Sequence, residues 1–361
     1  MLQKTFKRTL IVNPYGIGDV LFTTPLVSNL RKSMPDSYIA FLVGSRTKDI
    51  LVNNRDLDEI FVFDKGRFDR LPKYKAVKML FELIKRIRSK RFDLLIDLSN
   101  SSQYGFFEKF FLNIPQRVGF DYKNRGRFLT DRIELKGYKD KHVVEYYLDL
   151  IRYLNIKIDD KSLKFPIKEA QLRWAERFLR ERGFNASDLI IGVVPGGGSS
   201  WGKDAVFKHW HKDKFARLSE RLIEENKAKI IVMGDEDDMD ICEYILNKVG
   251  NNIITTCGRT QLGQFAALCR LCRLIICNDG GALHIAVSQN TPTVSIFGPV
   301  DDKVYGPYPP NKANYVLKKD LDCRPCYQDF KYKPCHNRRC LEEIEVDEVL
   351  DKVKRLLKDR V

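Results

Sequence analysis

The chain is predicted to be an α/β protein made of two successive doubly wound halves, each a parallel sheet with helices on both faces. Short apolar, β-branched runs recur along the chain and alternate with stretches of helical periodicity, the pattern of βαβ units. The pattern then starts afresh in the second half, with no low-complexity linker between. A length of 361 residues exceeds the ~100–200 residues of a usual domain, so each half can bury a core of its own.

The first half opens with the strand TLIVN (9–13), a helix from Asp19 to Met34 and the strand YIAFLVG (38–44). IFVFD (60–64), a basic amphipathic helix over 76–90 and DLLIDLS (93–99) continue it. After an amphipathic helix over 168–182, the second half repeats the scheme. It runs through LIIGVVP (189–195), a helix over 212–226, KIIVMG (229–234), a helix over 237–248, IITTCG (253–258), LIICND (274–279) and TVSIFG (293–298). The expected domains are 1–165 and 166–344, two Rossmann-like units facing a cleft. The amphipathic segment 345–361 is expected to pack back on the first of them. The architecture repeats but the sequence does not.

A hydrophobic content of 43% describes a globular chain, and no apolar run approaches the ~18 residues that span a bilayer. The first residues carry positive charge but only a short apolar stretch before Asn13 and Pro14, so no signal-peptide core is expected and the cytoplasm is the expected compartment. Nine cysteines, an odd number, point to reduced thiols. A net charge of +15 and a pI near 9.3 call for an anionic partner: nucleic acid, a phosphorylated substrate or an acidic membrane face. Basic clusters such as IKRIRSKR (84–91) and RVGFDYKNRGRF (117–128) favour a partner over a merely solvated surface. Nucleic acid is not expected, because no RNA- or DNA-binding module is recognisable.

Four stretches carry the candidate chemistry. PGGGSSWGKD (195–204) follows an apolar strand and reads G-x-x-x-x-G-K from Gly197, yet Asp204 stands where a phosphate-gripping P-loop needs Ser or Thr. An ATPase reading is therefore disfavoured. The glycines with Ser199 and Ser200 can still offer amides and hydroxyls to a diphosphate; the plain alternative is a flexible connection. VNPYGIGDVLFTTP (12–25) places Asp19 at a helix start, most simply as an N-cap, otherwise as a carboxylate held at a strand end. It lacks the third glycine of a dinucleotide fingerprint.

In LIICNDGGALHIAVSQNTPTVSIFGP (274–299), a strand ends at Asn278–Asp279 and Gly280–Gly281 start a helix that carries His284. Such a helix start suits a pyrophosphate. Cys323, Cys326, Cys335 and Cys340 could bind structural zinc, but the usual pair of C-x-x-C motifs is not met, and inert thiols are the expectation.

Together these stretches resemble glycosyltransferase family 9, the ADP-heptose:lipopolysaccharide heptosyltransferases. The resemblance runs through GIGDVLFTTP, RVGFDYKNRGRFLT, GVVPGGGSSWGKDAVFKHWHKDKFARL, NDGGALHIAVSQNTPTVSIFGP and the cysteine tail. It implies a GT-B fold, with the acceptor held mainly by the first domain and a nucleotide sugar by the second. It makes Asp19 the catalytic base, Lys208 the contact to the donor phosphates and Glu236 the acid on the ribose. Asp279, Gly280, Gly281 and His284 would lie around the diphosphate and sugar.

Gly18, Ser199 and Ser200 join the donor-binding set, although GGGSSWGKDAVF is longer than the family's loop. Arg117, Arg125 and Arg127 are the acceptor-binding candidates. The reaction implied is an inverting transfer that requires no metal or cofactor. Its donor is ADP-linked, and its anionic glycolipid acceptor implies peripheral, transient contact with the inner face of the cytoplasmic membrane. The alternatives are a family 9 transferase using another nucleotide sugar for capsule, O-antigen or protein glycosylation, and a basic, non-catalytic binding protein on a degenerate scaffold.

Overall fold

The structure, a computed structural model, describes residues 6–358 except 334 and 336. The chain divides into two compact units, Met1–Pro166 and Ile167–Val361. Unit 1 is built from β1 (Arg8–Asn13), α1 (Ile17–Ser33), β2 (Tyr38–Gly44), β3 (Glu59–Phe63), α2 (Lys65–Arg70), α3 (Lys73–Ser89) and β4 (Leu94–Asp97). It continues through α4 (Ser102–Phe107), which runs into a π-helical turn over Glu108–Leu112, then β5 (Gln116–Tyr122), β6 (Asp131–Leu135) and α5 (Val143–Tyr153). All six strands are parallel, in the order β3-β2-β1-β4-β5-β6.

Unit 2 begins with α6 (Glu169–Arg180), β7 (Ile190–Val194) and a kinked 3₁₀ segment over Ser199–Lys208. There follow α7 (Lys212–Asn226), β8 (Lys229–Val232), a 3₁₀ turn at Glu236–Asp238, α8 (Met239–Val249), β9 (Ile253–Thr255), α9 (Leu262–Leu271), β10 (Leu274–Asn278), α10 (Gly281–Ser288) and β11 (Thr293–Ile296). The chain ends with α11 (Asp302–Tyr305), β12 (Asn314–Leu317), the hairpin β13 (Tyr327–Gln328) and β14 (Lys331–Tyr332), α12 (Arg339–Glu342) and α13 (Val346–Lys358). Its parallel sheet has the order β12-β11-β10-β7-β8-β9. Counted from its own first strand, this is the topology of unit 1, so the repeat expected from periodicity exists as a repeat of fold.

The inner strands, such as β2, β7 and β10, are buried on both faces, which is why they read as continuous apolar runs instead of alternating ones. In unit 1, Leu10, Val12, Ala40, Leu42 and Leu95 line the face covered by Ile84 and Ile87 of α3 and by Leu112 of the π turn. On the other helical layer α1 packs against α5.

The expectation that 345–361 packs back on the first domain is corrected. Val346, Val349, Leu350, Val353 and Leu356 enter the core of unit 2, where α13 packs against α7, β11 and β12. The amphipathic period states that one face must be buried, but not against what. Residues 359–361 of that segment lie outside the described residues. β5 and β6 were also not expected as strands, because QRVGFDY reads first as a basic cluster.

Candidate active site

In an open parallel sheet, ligands bind beyond the carboxyl ends of the strands where the strand order reverses. In unit 1 that point lies between β1 and β4, and in unit 2 between β7 and β10. Each of the three glycine-bearing loops singled out in the sequence leaves one of these strands.

In unit 2, the loop after β7 and the turn after β10 touch: a Cβ built on Gly280 would lie 3.7 Å from the Gly198 nitrogen. Asn278, the last residue of β10, fastens them. Its Nδ2 donates to the Pro195 carbonyl at 2.6 Å, and its Oδ1 accepts the Trp210 N–H at 3.0 Å. Asp238 holds the loop from the other side, accepting the Gly197 N–H at 3.0 Å and the Asp235 N–H at 3.1 Å. Gly196 is obligatory for that contact, since a Cβ there would sit 1.9 Å from Asp238 Oδ1. Gly197 and Gly198 have φ of 97° and 82°, the left-handed region that side chains disfavour.

Lys208 ends the 3₁₀ segment with its stem over Gly198, whose added Cβ would be 3.5 Å from Lys208 Cδ. Its Nζ lies 2.5 Å from Asp279 Oδ2, a close ion contact that is not aligned as a hydrogen bond. The side chains are only 8% and 6% exposed, so this pair is desolvated. Lys203, the lysine of the P-loop-like spelling, is exposed. Gly280 has no side chain to cap α10, and the first-turn amides of that helix open beside the pair. Donors and positive charge thus gather at one point, an arrangement suited to a diphosphate.

His284 is buried in α10. Ser199 opens the 3₁₀ segment and Ser200 is exposed beside it. Glu236 begins its turn on the surface, its Cγ 3.5 Å from where a Gly258 Cβ would be.

The long loop has a structural partner that the sequence did not disclose. Trp201 lies 5.0 Å from Tyr327 and 5.1 Å from Tyr332, ring centre to ring centre, and Phe207 lies 5.2 Å from Tyr332. Lys208 Nζ sits 4.8 Å from the centre of the Trp201 ring. The β13–β14 hairpin therefore clasps the segment that positions Lys208. The four tail cysteines flank this hairpin.

Cys326 Sγ donates to the Cys323 carbonyl at 3.1 Å and Cys335 Sγ to the Asn337 carbonyl at 2.9 Å. Burial raises the Cys326 thiol and pushes Cys340 up to about 11, which disfavours thiolates. Among the described residues, no three His, Cys, Asp or Glu side chains are placed to hold one metal ion.

In unit 1, α1 starts two residues before Asp19: Gly16 is the N-cap and Asp19 the third helical residue. Its Oδ2 accepts the Gly16 N–H at 3.1 Å, so the capping role expected for Asp19 is exercised backwards from inside the helix. Gly18 sits in that same first turn. Asn13 pins the turn, its Nδ2 donating to the Asp19 carbonyl at 3.1 Å and to Thr23 Oγ1 at 2.9 Å.

Beside them β4 ends at Asp97, and the segment after it contributes Ser99 and Asn100. Tyr15 Oη donates to the Ser99 carbonyl, and Asn100 Nδ2 donates to Tyr138 Oη at 3.1 Å. Burial raises both phenols, and the Asp19 carboxylate adds to this at each, which places Tyr15 and Tyr138 about the same acid. Burial pushes the Asp97 carboxyl up to about 6.

Of the three arginines, Arg125 lies near enough to lower the Tyr15 phenol slightly, and Arg127 is exposed. Arg117 is committed elsewhere: Nε donates to the Phe128 carbonyl at 3.0 Å and Nη1 to the Ile114 carbonyl. It clasps a loop, a use that a basic cluster in sequence does not distinguish from ligand binding. A cavity of about 440 Å³ lined by Asp121, Tyr122, Glu134 and Leu135 opens at the ends of β5 and β6, off the point where the order reverses.

Residues 80–336 match the model of glycosyltransferase family 9 (heptosyltransferase). The lipooligosaccharide heptosyltransferase 2 of Campylobacter jejuni is 26% identical over 96% of this chain and 97% of its own length. The glycosyl transferase family 9 structure from Veillonella parvula superposes with a TM-score of 0.84, 24% identity and 99% coverage of both chains. The E. coli heptosyltransferase WaaC with ADP superposes at 0.71, with 16% identity and coverage of 97% and 99%.

Proposed function

The chain belongs to glycosyltransferase family 9 and is a glycosyltransferase, and from that premise we propose that it moves a heptose from ADP-heptose to a lipopolysaccharide-core acceptor with inversion at the anomeric carbon. The observation that carries the donor side is the buried Lys208–Asp279 pair, set between the Gly196–Gly198 loop and the open start of α10. The ADP in the WaaC structure and the heptosyltransferase relatives support the nucleotide and the sugar.

The acceptor hydroxyl oxygen forms the new bond to the anomeric carbon as the bond from that carbon to the diphosphate oxygen breaks. The hydroxyl proton passes to the Asp19 carboxylate, which remains oriented by the Gly16 N–H. A positioned general base contributes ~10²–10⁴-fold. Negative charge growing on the leaving diphosphate is met by Lys208 and by the amides of the glycine loop and α10, fixed before the reaction begins. Glu236 holds the ribose, and Asp279 and His284 frame the diphosphate and sugar. No metal or cofactor enters this scheme.

Arg125 and Arg127 attract the acidic acceptor. Its lipid anchor places the reaction at the inner face of the cytoplasmic membrane, approached peripherally; no helix among the described residues is long and apolar enough to cross a bilayer.

A thermal-shift panel tests the donor. A ligand that binds only the folded protein raises its stability by RT ln(1 + [L]/Kd), so ADP at ~100 Kd adds about 2.7 kcal/mol. ADP and ADP-heptose are expected to raise the melting temperature above UDP, GDP and ATP. A preference for UDP or GDP would transfer the reading to another nucleotide sugar.

A further inference from the structure

α3 carries two apolar faces where a surface helix needs one. Ala76, Ile84 and Ile87 are buried against the sheet, with Leu80 and Leu83 packed beside them. On a separate stripe, Tyr74, Val77 and Phe81 stand at i, i+3 and i+7 and are 70%, 64% and 63% exposed. Lys85 and Arg88 continue the same stripe by one and two further turns.

The π turn packs beside α3 on the same face of the sheet, and together with α4, which runs into it, exposes a second aromatic group. Phe106 and Phe110 lie 4.7 Å apart and are 46% and 55% exposed, with Lys109 Nζ 5.2 Å from the centre of the Phe110 ring. Among the described residues, every phenylalanine that stays exposed belongs to α3, α4 or the π turn.

The charge around this surface is one-sided. Residues 65–91 hold eleven lysines and arginines against Asp69 and Glu82. Lys73, Lys78, Lys85 and Arg88 are exposed and make no ion pair among the described residues. Apolar rings standing out of a basic, amphipathic helix match the two components of an anionic lipid surface: headgroup charge, and an acyl boundary that accepts rings. A second copy of the chain does not match, because a symmetric contact would press two such basic stripes together. Nucleic acid would meet the charge but leaves the aliphatic part of the stripe unexplained.

We infer that the outer surface of α3, α4 and the π turn docks unit 1 on anionic phospholipid bilayers, with Tyr74, Val77, Phe81, Phe106 and Phe110 entering the interface and the lysines meeting the headgroups. Docking on this face would serve the proposed transfer to a membrane-held acceptor. Vesicle binding and nucleotide binding are separate measurements, so either can fail while the other stands.

The test is co-sedimentation of the full chain with vesicles of phosphatidylcholine alone or mixed equally with phosphatidylglycerol. The wild type is expected to bind the mixed vesicles, to bind phosphatidylcholine weakly and to be released by high salt. Tyr74→Ser/Val77→Ser/Phe81→Ser should lower partitioning at least about tenfold. Lys78→Glu/Lys85→Glu, whose side chains touch no core, should lower it by more than about tenfold and serves if the first variant does not fold. Absent binding of the wild type, undiminished binding of the folded variants, or a dimer that the apolar variant converts to monomer would overturn the assignment. So would an oligonucleotide that binds in place of the vesicles and is lost with the same substitutions.

Discussion

Lys208 Nζ and Asp279 Oδ2 stand 2.5 Å apart in a pair that water barely reaches. Removing one partner of such a pair strands the other charge, at a cost of about 3–5 kcal/mol. Lys208→Ala should therefore lower both the melting temperature and donor affinity. Lys203→Ala, at an exposed position, should change each little. Calorimetry with ADP and thermal melts check the ranking, and the reverse order would restore the P-loop reading of Lys203.

Asp19→Asn keeps an oxygen to accept the Gly16 N–H, so the start of α1 should survive. Transfer should fall by at least ~10²-fold while donor affinity stays within a few-fold. Steady-state kinetics beside ADP titration read both. A variant with near wild-type turnover would remove Asp19 from the base role.

Gly196→Ala sets a methyl group against Asp238 Oδ1, at 1.9 Å if nothing moves. The loop must shift and release the Gly197 N–H from Asp238. Donor affinity is expected to fall more than tenfold, with only a modest change in melting temperature, of the order of 1–3 kcal/mol for a local steric conflict. Unchanged ADP affinity would show that the loop does not shape the donor site.

Asp97 gives a pH dependence of known sign. Burial raises its carboxyl from 3.8 to about 6, so the folded protein binds this proton more tightly than the unfolded chain does. Its favourable contribution is complete below about pH 4 and is lost as pH rises through about 6. Asp97→Asn, which can still accept the Ser99 N–H, should stabilise the protein at neutral pH by at most about 3 kcal/mol. The gain should vanish in melts near pH 4. A variant less stable than wild type at neutral pH would show that the charged form is needed.

Much of the fold was legible because its signals are local. Parallel strands buried on both faces announce themselves as apolar runs, and the glycine turns after 13, 195 and 278 were readable as strand ends. The choice of Lys208 over Lys203 rests on the family resemblance; in the fold Lys208 is buried against Asp279 and Lys203 is exposed. Arg117 clasps the Ile114 and Phe128 carbonyls through Nη1 and Nε, a use that has the same spelling in sequence as a guanidinium awaiting a ligand. The fastening roles of Asp238 and Asn278 are not legible in sequence either, since the Gly197 N–H and Pro195 carbonyl they hold lie 41 and 83 residues away.

By itself the sequence determined that there are two parallel α/β units, where their strands end, and which residue types stand at those ends. These follow from periodicity and backbone chemistry within a few neighbouring residues. Only the tertiary structure decided that α13 completes the core of unit 2, that Trp201 is held by Tyr327 and Tyr332, and that α3 keeps a second apolar stripe in the open. A side chain's partner is set by which distant segment arrives beside it, and local patterning carries no record of that arrival.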